Sequence, residues 1–255
     1  MRLFRVDKIE IRVYMAKSEM GRAAANEAAA ILRDIIAMRG HARIIVGTGN
    51  SQEDMISALV RTPGLDWSCI EVFHMDEYVG LPETHPASFR RWLRTRLVEV
   101  VHPGEAHFLN GDAADWAEEC RRYGNLLRAA PIDLCFLGFG ENGHIAFNDP
   151  HVADFNDPQT LKRVDLDERC RLQQVGEGHF ASLAAVPREA VTLTCPALLG
   201  AEYLICCVPE MRKAEAVRNA LEGPISPVCP ASLVRTHPRA SVFLDVDSAS
   251  LLSTK

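Results

Sequence analysis

The stretch "GFGENGHIAFNDP" (138–150) gathers reactive side chains into a few residues. Asn142, His144, Asn148 and Asp149 lie among Gly138, Gly140 and Gly143, directly after the apolar run "IDLCFL". Two chemistries compete for it. The glycines spell G-x-G-x-x-G, the spacing of a dinucleotide phosphate loop, but that reading needs the third glycine to open a long helix. The residues after that glycine, "HIAFNDPHVADFNDP", include two prolines and two Asn-Asp pairs and make a poor helix. The mid-chain position also misses the first strand–helix unit, where a dinucleotide fingerprint belongs. A catalytic loop fits better. Histidine titrates near neutral pH, and neighbouring carboxamides and carboxylates set its tautomer and proton affinity.

Two other stretches offer chemistry. "FHMDEYVGLPETHPASF" (73–89) puts Asp76 and Glu77 straight after an apolar run. A carboxylate at the C-terminal end of a strand is rigidly held and partly desolvated, which suits a general base. The plain alternative is a solvated acidic turn, or a cap for a helix starting near Ser88, and on spacing alone that is the commoner case. "VGTGNS" (46–51) supplies Gly47, Thr48, Gly49, Asn50 and Ser51 just before a helix. Small residues, free backbone N–H groups and hydroxyls at a helix start suit a phosphate. The loop lacks the lysine of a nucleotide-triphosphate P-loop. An ordinary strand-to-helix turn is the alternative.

Hydrophobic periodicity outlines the scaffold around these groups. "KIEIRVY" (8–14) alternates as a strand, and 19–40 is an Ala-rich helix that Gly40 stops. Residues 42–64 read as an apolar strand, the "GTGNS" turn and a helix capped by Asn50 or Ser51. A strand over 69–78, helices over 87–100 and 112–130, and a buried strand within 131–140 come next. Residues 191–210 read as a short strand or turn and then a strand, with a helix over 211–223 and a last strand within 240–249. Short apolar strands alternating with helices predict an α/β fold with an open, mainly parallel sheet flanked by helices. No repeat or linker divides the chain, so one domain over 1–255 is expected. Residues 150–188 are the most polar and least regular portion and are expected to form a lid. In open α/β sheets ligands bind beyond the carboxyl ends of the strands, which would bring the three polar loops to one edge.

Composition narrows the classes. The net charge is −6, with no Lys/Arg-rich block, which argues against nucleic-acid or acidic-membrane partners. No apolar run reaches membrane-spanning length, and "MRLFRVDKIEIRVYMAKSEMG" is charged throughout, so a cytoplasmic location is expected. The eight cysteines form no C-x-x-C pair and read as reduced, mostly buried residues without a metal or redox role.

The motifs "MDEYVGLP…HPASF", "GFGENGHIAFNDP" and "KAEAV…LEGPIS…CPAS…HP" resemble the glucosamine-6-phosphate deaminase/isomerase family, in order and from the first strand to the end. The 6-phosphogluconolactonases of the wider superfamily typically follow the Gly-His pair with Ser-Leu-Phe-Pro, whereas "HIAFNDP" favours the deaminase side. The resemblance implies a Rossmann-like fold of deaminase/isomerase type. It implies that an aminosugar 6-phosphate, glucosamine 6-phosphate or a close epimer, plus water gives a ketose 6-phosphate plus ammonium, with no cofactor and no metal. Asp76 would move a proton from C2 to C1, and His144 would assist ring opening. Asp149 stands where well-known members carry Glu and would orient His144; Asn142 stands where they often carry Asp. The phosphate would lie on Gly47, Thr48, Gly49, Asn50 and Ser51, with Lys213 as the phosphate-contacting lysine and Glu77 among the substrate-binding residues. Gln174 falls where the family places a phosphate-binding arginine, with Arg169 and Arg171 nearby. Arginine fits phosphate oxygens in a bidentate way that glutamine cannot. Family members are often homo-oligomers. A sugar-phosphate lactone hydrolase and a non-catalytic sugar-phosphate sensor are the alternative readings.

Overall fold

The computed structural model describes residues 1–253. Among them eleven strands run in order: β1 (Arg2–Val6), β2 (Ile9–Tyr14), β3 (Ala42–Val46), β4 (Ile70–His74), β5 (Asp76–Tyr78), β6 (Glu105–His107), β7 (Leu134–Leu137), β8 (Leu161–Asp165), β9 (Glu189–Leu193), β10 (Tyr203–Val208) and β11 (Ala240–Asp245). The α-helices are α1 (Lys17–Arg39), α2 (Glu53–Leu59), α3 (Phe89–Leu93), α4 (Glu99–Val101), α5 (Trp116–Arg128), α6 (Glu168–Gly176), α7 (Cys195–Leu199) and α8 (Ala214–Glu222). No helix among the described residues is long and apolar enough to cross a membrane.

Eight strands form one sheet in the order β1-β2-β11-β10-β7-β3-β4-β6. All neighbours are parallel except the β1–β2 hairpin at one edge. β3 and β7 are buried along their whole length, as their continuous apolar sequences require in a sheet covered on both faces. Helices α1 and α2 and the 89–98 segment pack on one face; α5, α7 and α8 pack on the other. The first inward strand, β2, pairs with the last, β11, matching Ile11 with Val242. From β3 the chain steps outward through β4 to β6, then crosses to β7 and steps the other way through β10 to β11. The crevice between β3 and β7 is therefore the topological switch point, where open α/β sheets bind ligands.

Small residues permit the closest approaches. The buried stripe of α1 is mostly alanine, and a Cβ on its Gly21 would stand 2.7 Å from the Asp54 side chain at the start of α2. Gly40 ends α1 as its sequence predicts, with a φ of 80° and its N–H on the Ile36 carbonyl. At the switch point, Gly47 donates its N–H to the Phe136 carbonyl at 3.1 Å. A Cβ there would lie 2.8 Å from that oxygen.

Several sequence expectations change. Asn50 and Ser51 do not cap α2, whose N-cap residue is Gln52 and which has no side-chain cap; instead the Gln52 side chain donates to the Leu137 carbonyl at 2.8 Å, linking the two strand-end loops. The expected 87–100 helix is interrupted: Ser88 caps α3, a π-helical turn spans Arg94–Val98, and His102 closes the run in a left-handed conformation. Segment 150–188 is more regular than its polarity suggests, since it holds β8 and α6. β8 pairs with β9, and β9 with β5, in a second, antiparallel sheet. An aromatic cluster sits under that sheet, with Tyr78 against Phe89, Phe147 and Phe180.

Candidate active site

A small cavity of about 80 Å³ opens at the switch point. Its walls come from the β3 loop, the end of β4, the β7 loop, the segment from α6 to His179, and Lys213 before α8. Gly47, Thr48, Gly49, Asn50, Ser51, Asp76, His144, Gln174 and Lys213 all line it. Residues up to 166 positions apart, Gly47 and Lys213, are thus brought together by the sheet order.

Asp76 opens β5 immediately beyond β4. The residue is 6% exposed, and among the described residues no donor reaches its carboxylate. Burial, and secondarily the adjacent Glu77 charge, pushes its pKa well above the ordinary carboxylate range. A buried carboxylate with free oxygens binds protons tightly, as a base beside a weakly acidic C–H must. Glu77 behaves in the opposite way. Neighbours on a strand point to opposite faces, and Glu77 faces away from the cavity. It accepts hydrogen bonds from Tyr78 N (2.9 Å), Ser88 Oγ (2.7 Å), Phe89 N (3.3 Å) and Arg90 N (2.9 Å). The expectation that Glu77 touches substrate is therefore corrected: it anchors the N-terminus of α3, where a negative charge is favoured.

His144 is held by the tight turn its glycines allow. Gly140 donates its N–H to the His144 carbonyl at 2.8 Å, and Gly143 adopts a φ of 85°. The imidazole lies directly over Gly140, where a Cβ would sit 2.2 Å from the ring. Nδ1 of His144 stands 3.0 Å from Asp149 Oδ1. The contact is close but off the line of the ring N–H, so it is not a well-aligned hydrogen bond. Asp149 has further supports. Asn142 Nδ2 donates to its Oδ1 at 2.9 Å and to Asp167 Oδ2 at 2.9 Å, and Asp167 N donates to its Oδ2 at 3.1 Å. Burial alone would raise the Asp149 pKa; the contacts from His144, Asn142 and Asp167 outweigh it and leave it lowered. Asn142 also accepts the His144 backbone N–H at 3.0 Å. Asn142 and Asp149 thus stand behind the histidine rather than in the cavity wall. Asn148 is a clamp, donating to the Ile145 and Leu193 carbonyls and tying the loop to β9.

His144, Asp149 and Cys170 bring three donor atoms within 4.8 Å of one another. Burial raises the Cys170 thiol well above its usual range.

Lys213 is 1% exposed, and burial, partly offset by the charge of Glu177, lowers its pKa to about 8. Gln174 Oε1 accepts from the His179 ring, 2.9 Å from its Nδ1. Neither nearby arginine replaces the missing guanidinium. Arg169 pairs with Glu215 outside, and Arg171 donates to the Leu183 and Val186 carbonyls. Sequence reasoning missed three polar wall residues, Gln173, Glu177 and His179. Their signal was the i, i+4 spacing of Gln173 and Glu177, which places both on one side of a helix end.

Comparison with known proteins bears on family and fold. The profile described as glucosamine-6-phosphate isomerases/6-phosphogluconolactonase matches residues 15–243. The chain is 33% identical over 223 residues to glucosamine-6-phosphate deaminases of Bacillus thuringiensis (strain Al Hakam) and Bacillus cereus (strain AH820), covering 88% of this chain and 83% of each relative. A solved monomeric glucosamine-6-phosphate deaminase superposes with a TM-score of 0.85 at 30% identity, over 94% of this chain and 99% of that one. A 6-phosphogluconolactonase from Shewanella baltica OS155 superposes with a TM-score of 0.75 at 18% identity, over 92% and 96% of the two chains, a likeness of fold alone.

Proposed function

This chain belongs to the glucosamine-6-phosphate isomerase/6-phosphogluconolactonase family, and on that premise we propose that it is an aminosugar-6-phosphate deaminase/isomerase. The substrate is glucosamine 6-phosphate or a close epimer. The observation that carries this reading is the pairing of two proton-transfer groups in one cavity: Asp76, buried with unengaged oxygens, and His144, backed by Asp149.

The proposed sequence balances without a cofactor. With Nδ1 facing Asp149, His144 presents Nε2 to the sugar and relays the C1 hydroxyl proton to the ring oxygen as the C1–O5 bond breaks, which leaves the C1 aldehyde. Asp76 then takes the C2 proton and returns it to C1 while a proton of the substrate ammonium passes to the C1 oxygen, leaving a C1 alcohol and a C2 iminium. Water adds at C2, the C–N bond breaks, and ketose 6-phosphate and ammonium leave. The phosphate lies on the 47–51 loop and Lys213, and segment 150–188 serves as a lid through Gln174.

The test is ammonium release from glucosamine 6-phosphate, galactosamine 6-phosphate and unphosphorylated glucosamine. Release from a phosphorylated aminosugar supports the reading and names the epimer. No ammonium from any of them, with hydrolysis of 6-phosphogluconolactone instead, would replace it with the lactone hydrolase.

A further inference from the structure

The far end of the cavity contains an acid that the proposed reaction does not use. The Glu177 side chain is 5% exposed and lines the wall beside Lys213. Its Oε1 accepts from Gln173 Nε2 at 2.8 Å, lies 3.1 Å from the Arg212 guanidinium and 3.9 Å from Lys213 Nζ. Its Oε2 reaches to 4.0 Å from the position a Cβ on Gly49 would take. The carboxylate therefore stands between the ammonium of Lys213 and the 47–51 loop. A phosphate that is to touch both must enter the same space.

Charge sharpens the conflict. Among the described residues, Lys213 is the only lysine or arginine in the cavity wall. Arg212 is already engaged, 2.6 Å from Glu210 and 3.6 Å from Glu141 as well as beside Glu177. Gln174 is neutral. A phosphate monoester carries roughly −1.5 to −2 at neutral pH, and it meets a lysine that already has a carboxylate oxygen 3.9 Å away.

We propose that Glu177 is a specificity-determining residue: its carboxylate occupies the anion subsite as an internal ligand of Lys213, and a substrate phosphate binds only by displacing it. The inference rests on the aminosugar-phosphate reading for its substrate, but not for its anion. Its consequence is that this site favours phosphorylated over unphosphorylated sugar less than the loop and Lys213 alone would.

The experiment titrates inorganic phosphate into the full chain by calorimetry, for the unaltered protein, Glu177→Gln and Glu177→Asp, with melting curves to establish folding. KM and kcat for glucosamine 6-phosphate and for glucosamine are measured alongside. Glu177→Gln should tighten phosphate by about tenfold and lower KM for the phosphorylated sugar by a similar factor, with KM for free glucosamine moving less than about twofold. Glu177→Asp, whose shorter side chain draws back from Lys213, should fall between. Folded variants that bind phosphate no better, or worse, would overturn the proposal and make Glu177 a brace for Lys213 and Arg212. If neither variant folds, the unaltered chain decides: phosphate binding tighter than about 1 mM would overturn it, and weaker binding supports it. Silence with every aminosugar would sink the reaction but not the phosphate measurement.

Discussion

At the end of the cavity that holds Asp76 and His144, the reactive groups stand at the ends of strands. Their surroundings are backbone turns and buried partners: Gly140 under the imidazole, Asp149 behind it, β9 clamping the loop through Asn148. At the other end, Lys213, Glu177, Gln174 and His179 are carried by a short helix and turns, and they hold mainly one another. The first end leaves its key oxygen atoms free for a substrate; the second satisfies its charges internally. On the proposed reading the chemistry is preorganised, whereas anion binding requires exchange of partners.

That contrast can be broken from either side. The largest effect is expected for Asp76→Asn, which should lower kcat for ammonium release by about 10³-fold while KM changes little. The same variant should melt higher. Asp76 has a raised folded pKa, so its stabilising contribution holds below the unfolded pKa and is lost as pH rises through the folded one. Loss of binding in place of rate would mean that the carboxylate holds substrate and is not the base. Next, Gly140→Ala forces the His144 ring aside and should reduce kcat/KM by about 100-fold in a folded protein. Activity near that of the unaltered chain would show that the ring position is not critical.

At the anion end the effect is smaller and depends on pH. Lys213 is charged below its pKa of about 8, so kcat/KM for a phosphorylated substrate should fall as pH rises past that value. Lys213→Arg should carry that limb to higher pH, because guanidinium stays charged; an unmoved limb would assign it to another group. The smallest expected change concerns neither end. His74 is fully buried, with neither ring nitrogen partnered among the described residues, and burial, then the Arg90 charge, lowers its pKa from 6.5 to about 3. With a depressed folded pKa, its contribution is present above 6.5 and lost as pH falls towards 3. About 1 kcal/mol should be lost by about pH 5.5. His74→Leu should flatten that dependence in denaturant titrations, and an equally acid-sensitive variant would place the effect elsewhere.

The sequence reveals the chemical end more readily than the anion end for a physical reason. β3, β4 and β7 are short apolar runs that give way abruptly to polar residues, so their loops and their shared edge can be read from local pattern. Asp76 and His144 stand at such transitions. Glu77 could not be separated from Asp76, because adjacency does not say which face of a strand a side chain takes. The second sheet was hidden because β5, β8 and β9 meet only through distant pairings, such as Asp76 with Thr192. Polar residues are mostly solvated, so the i, i+4 spacing of Gln173 and Glu177 in "QQVGEGH" marks one side of a helix end without telling a cavity wall from an outer surface.

The pairing of β2 with β11 joins strands at nearly opposite ends of the chain. During synthesis, the β3–β4–β6 half of the sheet and its helices can assemble while β2, paired with β1 on one side, still waits for β11 on the other. The sheet closes only when the last strand emerges, and such long-range closure is slow. Truncation ahead of Ala240 would therefore leave β2 and β10 with unpaired edges, a template for strand exchange between nascent chains.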